Sequence, residues 1–351
     1  MSNTKNITFA RNNSIDLFRY ICALMVVIIH STFWKDMGVF GDFLGNVFPR
    51  LAVPFFFLVT GYFFIGNILK GKNVLVKNLK HILIVYSLWS ILYYGMDFLY
   101  GVVLNHGSVL DFLKVIPLSF LITGSTMHFW YFPALMISLC LVALFNKLKI
   151  MRLLVPVSIL LYLIGCICGA YYRLFQDVPV ISGFVASEWF NAIRRIFFMG
   201  FPFVSAGYIL QMVKEKPFKK YLPFVWIGSL VVFLAEIYLV RYTEIAVSVI
   251  ITPGLYLLTL ATVLMLINKP LPGLEKTAET ARTVANVTYY SHPFIIQLFA
   301  IASSIVEIKI PNILVIASTV IATFLAGLLL HCILKKSKNK TIKAVVKLIV
   351  G

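Results

Sequence analysis

Residues 14–34 read SIDLFRYICALMVVIIHSTFW, a run with no carboxylate or basic side chain between Arg19 and His30. At a rise of about 1.5 Å per residue it is long enough to cross the roughly 30 Å hydrocarbon core of a bilayer. Comparable runs follow at residues 49–69, 82–101, 128–145, 153–170, 190–212, 222–240, 245–267, 284–306 and 311–334. None alternates apolar and polar side chains as the strands of a membrane barrel do, so the runs read as helices. The expected fold is an all-α polytopic membrane protein with about ten transmembrane helices. Composition agrees. Hydrophobic residues make up 60% of the 351 residues and charged residues 13%, with a mean hydropathy of +0.93. A soluble domain carries about 25% charged residues. Too few polar side chains remain to cover a water-facing surface, which excludes a soluble enzyme and a disordered chain.

The net charge is +18. The basic residues lie in short clusters between apolar runs rather than along one face, so they read as topology signals and no nucleic-acid partner is expected. With the N-terminal segment counted as zero, the even-numbered connections carry 22 Lys and Arg, including Lys70, Lys147, Lys276 and Lys335. The odd-numbered connections carry 6, among them Arg50, Arg173 and Arg241. By the positive-inside rule both termini are cytoplasmic, as an even number of spans requires. The first run is not expected to be a cleaved leader, since Asp16 and Arg19 interrupt it and no small-x-small site follows His30. Residues 1–334 read as the membrane domain and 335–351 as a basic cytoplasmic tail. Ile342, Val345, Val346, Ile349 and Val350 give that tail an apolar face suited to the inner leaflet. The cysteines, Cys22, Cys140, Cys166, Cys168 and Cys332, lie in or beside apolar runs and suggest neither a disulfide framework nor a metal site.

An ionisable side chain inside a span is costly and needs a partner or a purpose. Asp16, Arg19 and His30 lie at i, i+3 and i+14, which at about 100° per residue places them within roughly 60° on one helix face. His30 stands eleven residues beyond Arg19, about 16 Å along the axis. Two readings are open. Asp16 and Arg19 form an interfacial ion pair while His30 is a satisfied histidine near the far boundary. Alternatively, the three mark a polar path from an anion site at Arg19 to a general base at His30.

Further motifs surround that face. Pro49-Arg50-Leu-Ala-Val-Pro54-Phe-Phe-Phe-Leu-Val-Thr60-Gly61-Tyr62 opens the second run and His128-Phe-Trp130-Tyr131-Phe-Pro133 the fourth. Tyr289-Tyr290-Ser291-His292-Pro293 sits in the ninth. With Asp16-x-x-Arg19 and Arg19-x10-His30, in this order along nearly the whole chain, they resemble the membrane acyltransferase-3 family. The resemblance implies transfer of an acyl group from acetyl-CoA or another cytosolic acyl-CoA to an acceptor such as a cell-surface carbohydrate. It implies no permanently bound cofactor and a location in the cell membrane. By carry-over His30 is the catalytic histidine with Asp16 beside it in that role. Arg19 holds the anionic donor or its thioester carbonyl, and Arg50, Arg194, Trp130 and His292 are candidate substrate-binding residues. Two departures stand out. Thr60 replaces a serine but keeps its hydroxyl. In Ile193-Arg194-Arg195-Ile196-Phe-Phe, Arg195 and Ile196 replace the family's Asn and Gly, which adds a cation where an acceptor is expected to bind.

Trp130, Tyr131 and His128 also fit an ordinary aromatic belt at an outer boundary. Glu236, in the seventh run near Arg241, reads as a snorkelling carboxylate or a pathway residue. The same motifs resemble the membrane module of VanT-type serine racemases, a branch of the family linked to L-serine supply in vancomycin resistance. That makes transport the alternative to transfer. A transporter needs helices broken near the midplane, for which Gly61, Gly165 with Gly169, and Pro253-Gly254 are the sequence candidates.

Overall fold

Helix α1, Asn13–His30, starts where the Asn12 side chain accepts the Ile15 N–H at 3.1 Å and stops where Ser31 turns extended. The computed structural model describes residues 12–31, 37–213, 220–243, 251–307 and 310–351. Lys5, Arg11, Lys35, Lys214, Lys216, Lys219 and Lys309, and the expected span residues at 32–34 and 245–250, lie outside them. After α1 come α2 (Gly38–Asp42), a π turn and a 3₁₀ turn through Leu51, and then α3 (Ala52–Ile68). Helices α4 (Leu75–Asp97), α5 (Val109–Leu118), α6 (Tyr131–Lys147) and α7 (Met151–Ile167) follow. Three short helices, α8 (Tyr172–Phe175), α9 (Pro179–Val185) and α10 (Phe190–Ile193), lead into a π-helical segment and α11 (Phe201–Val213). The chain continues through α12 (Leu222–Tyr242), α13 (Pro253–Asn268), α14 (Glu275–Val306), α15 (Asn312–Lys336) and α16 (Lys340–Val350), with no strand among the described residues.

Among the described residues, six helical segments are long and apolar enough to cross a membrane: Asn13–His30, Phe40–Ile68, Leu75–Leu104, Phe190–Val213, Leu222–Arg241 and Asn312–Lys336. The other four expected spans fall on α6, α7 and α13, which are apolar but of 16–17 residues, and on α14. The first turns of α14, EKTAETAR, are polar, so length and composition alone do not mark it as a span. Large apolar side chains such as Ile313, Leu314, Ile321, Leu325 and Leu329 on α15 point outward. A surface of that kind belongs against lipid.

The core gathers around α3, which packs on α11, with α1 lying along α14. Gly61 and Gly207 let the α3 and α11 backbones touch. A Cβ on Gly61 would overlap the Val204 carbonyl, and one on Gly207 would overlap the Gly61 backbone. Gly61 therefore serves close helix packing within an unbroken α3 and is not a midplane break. Gly165 in turn lies under the Phe198 side chain. Pro253-Gly254 opens α13, where Thr252 caps the Leu255 N–H.

Glu236 accepts the Gly254 N–H at 2.6 Å and the Tyr171 hydroxyl, so its carboxylate caps a helix start and neither snorkels nor lines a pathway. Its expected neighbour Arg241 pairs instead with Asp42. The basic tail does fold as an amphipathic helix, but half of its apolar face is spent on protein. Val346 and Val350 pack against Val287, Leu330 and Leu334, while Ile342 and Val345 stay exposed.

Candidate functional site

His30 ends α1 at a cavity of about 220 Å³ lined also by Arg50, His128, Trp130, Arg194, Arg195 and Tyr289. The three arginines are delivered by local irregularities. Arg50 lies in the 3₁₀ turn Phe48–Leu51, and its guanidinium donates to the Asn46 carbonyl at 2.9 Å and the Asn46 side chain at 3.2 Å. Arg194 and Arg195 open the π-helical segment Arg194–Gly200. Pro202 follows that segment and has no N–H for the regular helical ladder. Wider turns form ahead of it, with the Phe201 N–H reaching back to the Ile196 carbonyl. Arg195 lies over the Trp130 ring at 5.3 Å and donates to the Thr123 carbonyl at 3.2 Å. Arg194 lies over Phe190 at 5.4 Å.

Three imidazoles meet here. The His30 ring centroid is 5.5 Å from that of His292 and 6.0 Å from that of His128, and the latter two are 4.9 Å apart. Pro293 explains why His292 faces inward. Its missing N–H frees the Tyr289 carbonyl, and the His292 Nδ1 takes it at 3.1 Å, along with the Thr288 carbonyl at 2.9 Å. One residue further on, the Tyr93 hydroxyl donates to the Tyr290 carbonyl at 2.7 Å and accepts the Phe294 N–H at 3.2 Å, replacing a helical bond. Protonated at Nδ1, His292 presents an Nε2 lone pair. That atom and both His128 nitrogens are buried without a hydrogen-bond partner among the described residues. His128 is only 3% exposed, so it is not part of an outer aromatic belt. Tyr131 stacks on Phe57 inside the bundle and is not at a belt either. His30 also borders a second cavity, of about 250 Å³, walled by Ile296, Phe299, Ala300 and Val315.

The other end of α1 is built differently. Asp16, buried, lies 3.9 Å from Arg19 and 3.6 Å from Arg282 of α14. Beside this cluster is a polar pocket of about 400 Å³ lined by His81, Arg282, His331, Lys335 and Lys347. The α16 helix closes part of it, with Asn286 donating to the Val350 carbonyl at 3.0 Å. Of the residues the sequence singles out, the structure thus brings His30, Arg50, Arg194, Trp130 and His292 together. Asp16 and Arg19 sit at the far end, with Asp16 roughly 21 Å from His30 by helical rise. Arg282, Arg195, His128 and Tyr289 are the additions that sequence alone did not select as site residues. The polar stripe Arg282, Asn286, Tyr289 and His292 on α14, at helical spacing, is the signal that picks out Arg282.

A model of the acyltransferase-3 family, described as an acyltransferase domain, matches residues 12–332. The chain belongs to this family and is a multi-pass membrane domain of it. It is 32% identical over 339 residues to an amino-acid racemase of Enterococcus faecalis, covering 92% of this chain and 46% of that protein. It is 29% identical over 218 residues to a serine/alanine racemase of Enterococcus gallinarum, covering 59% of this chain and 30% of that protein. The chain spans less than half the length of these relatives. No solved structure matches it.

Proposed function

We propose that the chain is an integral membrane acyltransferase in which His30 is the general base. The observation that carries this reading is the placement of His30 in the membrane domain of an acyltransferase family, at the junction of two cavities and against two buried imidazoles. The α1 N-terminal end faces the cytosol in this reading, ten membrane-crossing segments are counted, and both termini are cytoplasmic. Cytosolic acyl-CoA, acetyl-CoA being the simplest donor, enters beside Arg282 and Arg19, where cations suit its phosphates. The acceptor, a sugar or small molecule bearing a hydroxyl or amine, reaches His30 from outside. Its oxygen attacks the thioester carbonyl, forming a C–O bond as the C–S bond breaks. The hydroxyl proton passes to His30 and from there to the departing thiolate. His292 and His128 orient the imidazole. The reading is tested by acetyl transfer in purified protein with and without His30→Ala; wild-type turnover in that variant would end the assignment.

The names of the relatives favour a second reading, in which the domain takes up L-serine for a racemase. Thermal-shift titration separates the two. Stabilisation by acetyl-CoA that Arg19→Ala removes supports transfer, and stabilisation by L-serine alone supports uptake.

A further inference from the structure

The cavity at His30 carries an electrostatic excess that nothing among the described residues cancels. Arg50, Arg194 and Arg195 all line it, and Arg194 lies within electrostatic reach of both others. None of the three has a carboxylate partner among the described residues. Every group that fixes them is neutral: the Asn46 carbonyl and amide for Arg50, the Phe190 ring for Arg194, and the Trp130 ring with the Thr123 carbonyl for Arg195. Such groups aim a guanidinium without discharging it. Holding like charges together inside a membrane domain is costly and marks a ligand site unless a counter-charge arrives. The three also share their cavity with His30, His128 and Tyr289, which face the interior of the bundle, so they are not lone cations reaching for headgroups.

We propose that the ligand of this cavity is a small anion, or the anionic terminal unit of a larger molecule, whose carboxylate or phosphate is held by Arg50, Arg194 and Arg195. At about 220 Å³ the space is below the roughly 300–1,000 Å³ of drug-sized sites, which limits the bound part to about one sugar or amino acid. The anion site holds for transfer and for uptake alike. Only the further statement, that the ligand's hydroxyl or amine turns toward His30, rests on the acyltransferase reading.

The test is equilibrium binding to the purified full chain without acyl-CoA, using pairs matched but for charge: D-glucuronate and glucose 6-phosphate against D-glucose, and L-serine against L-serinamide. At least one anionic member is expected to bind about tenfold or more tighter than its partner, a preference that weakens with salt. Arg195→Asn is expected to lose about tenfold of that affinity while Arg195→Lys keeps most of it, and Lys72→Ala on an exposed turn changes nothing. If no anionic member outbinds its partner, or if Arg195→Asn binds as well as wild type, the proposal is overturned. It is equally overturned if only micelles doped with phosphatidylglycerol stabilise the protein in an Arg195-dependent way, since the cations then serve lipid headgroups. Because acyl-CoA is absent, failure here leaves the transfer reading standing, and wild-type turnover in His30→Ala, which ends the transfer reading, leaves this one standing.

Discussion

The two ends of α1 each collect buried or half-buried cations, yet they treat them in opposite ways. At the N-terminal end Asp16 sits between Arg19 and Arg282, and its carboxylate offsets part of their charge within the protein. At the His30 end Arg50, Arg194 and Arg195 are oriented, among the described residues, by ring faces and neutral oxygens alone. The first arrangement holds the fold together as well as offering charge to a ligand. The second offers charge and keeps none of it occupied. A titratable cluster therefore reads as structure or as site by whether its charges are matched inside the chain.

Substitutions at the two ends should separate these roles, and the largest effect is expected at His30. His30→Ala should lower acetyl transfer by about 10²–10⁴-fold with the melting temperature nearly unchanged, as measured by turnover and thermal unfolding on the same preparation. A collapse in stability would instead make His30 a packing residue. Asp16→Asn should act the other way, destabilising by about 3 kcal/mol because two cations lose their carboxylate. The double variant Asp16→Asn with Arg282→Gln should recover part of that loss. A strictly additive cycle would show that Arg282 does not feel Asp16. Arg282→Gln alone is expected to weaken acetyl-CoA binding about tenfold, read by titration, and to leave the anion pairs described above untouched. The smallest effect belongs to Glu279→Gln. Its pair with Lys335, at 2.6 Å, is half exposed, so unfolding should shift by no more than about 1 kcal/mol.

The helical membrane fold was legible because apolar composition has few other physical solutions. The number of crossings was less so. Runs at α6, α7 and α13 are apolar through short helices, and α14 mixes a polar start with an apolar end, so hydropathy alone does not decide them. At the site, His30 and Arg50 stood out as polar residues inside apolar runs. His128 did not, because a histidine beside Trp130 and Tyr131 has the composition of an interfacial belt, and only its tertiary packing against Tyr93 of α4 and Tyr289 and His292 of α14 buries it. Glu236 shows the converse: its place in an apolar run suggested a snorkelling carboxylate or a pathway residue, while the partners it finds, Gly254 and Tyr171, come from other segments. Such cross-helix partners are tertiary facts with no local pattern.

The backbone contact between Gly61 and Gly207 has a consequence for how this chain can vary. Neither position has room for one extra carbon, so each is closed to substitution for reasons that belong to the other's helix. In a saturation library the two columns would empty together, although 146 residues separate them. A change at one could be relieved only by a displacement of the whole partner helix, and α11 carries the turn that aims Arg194 and Arg195.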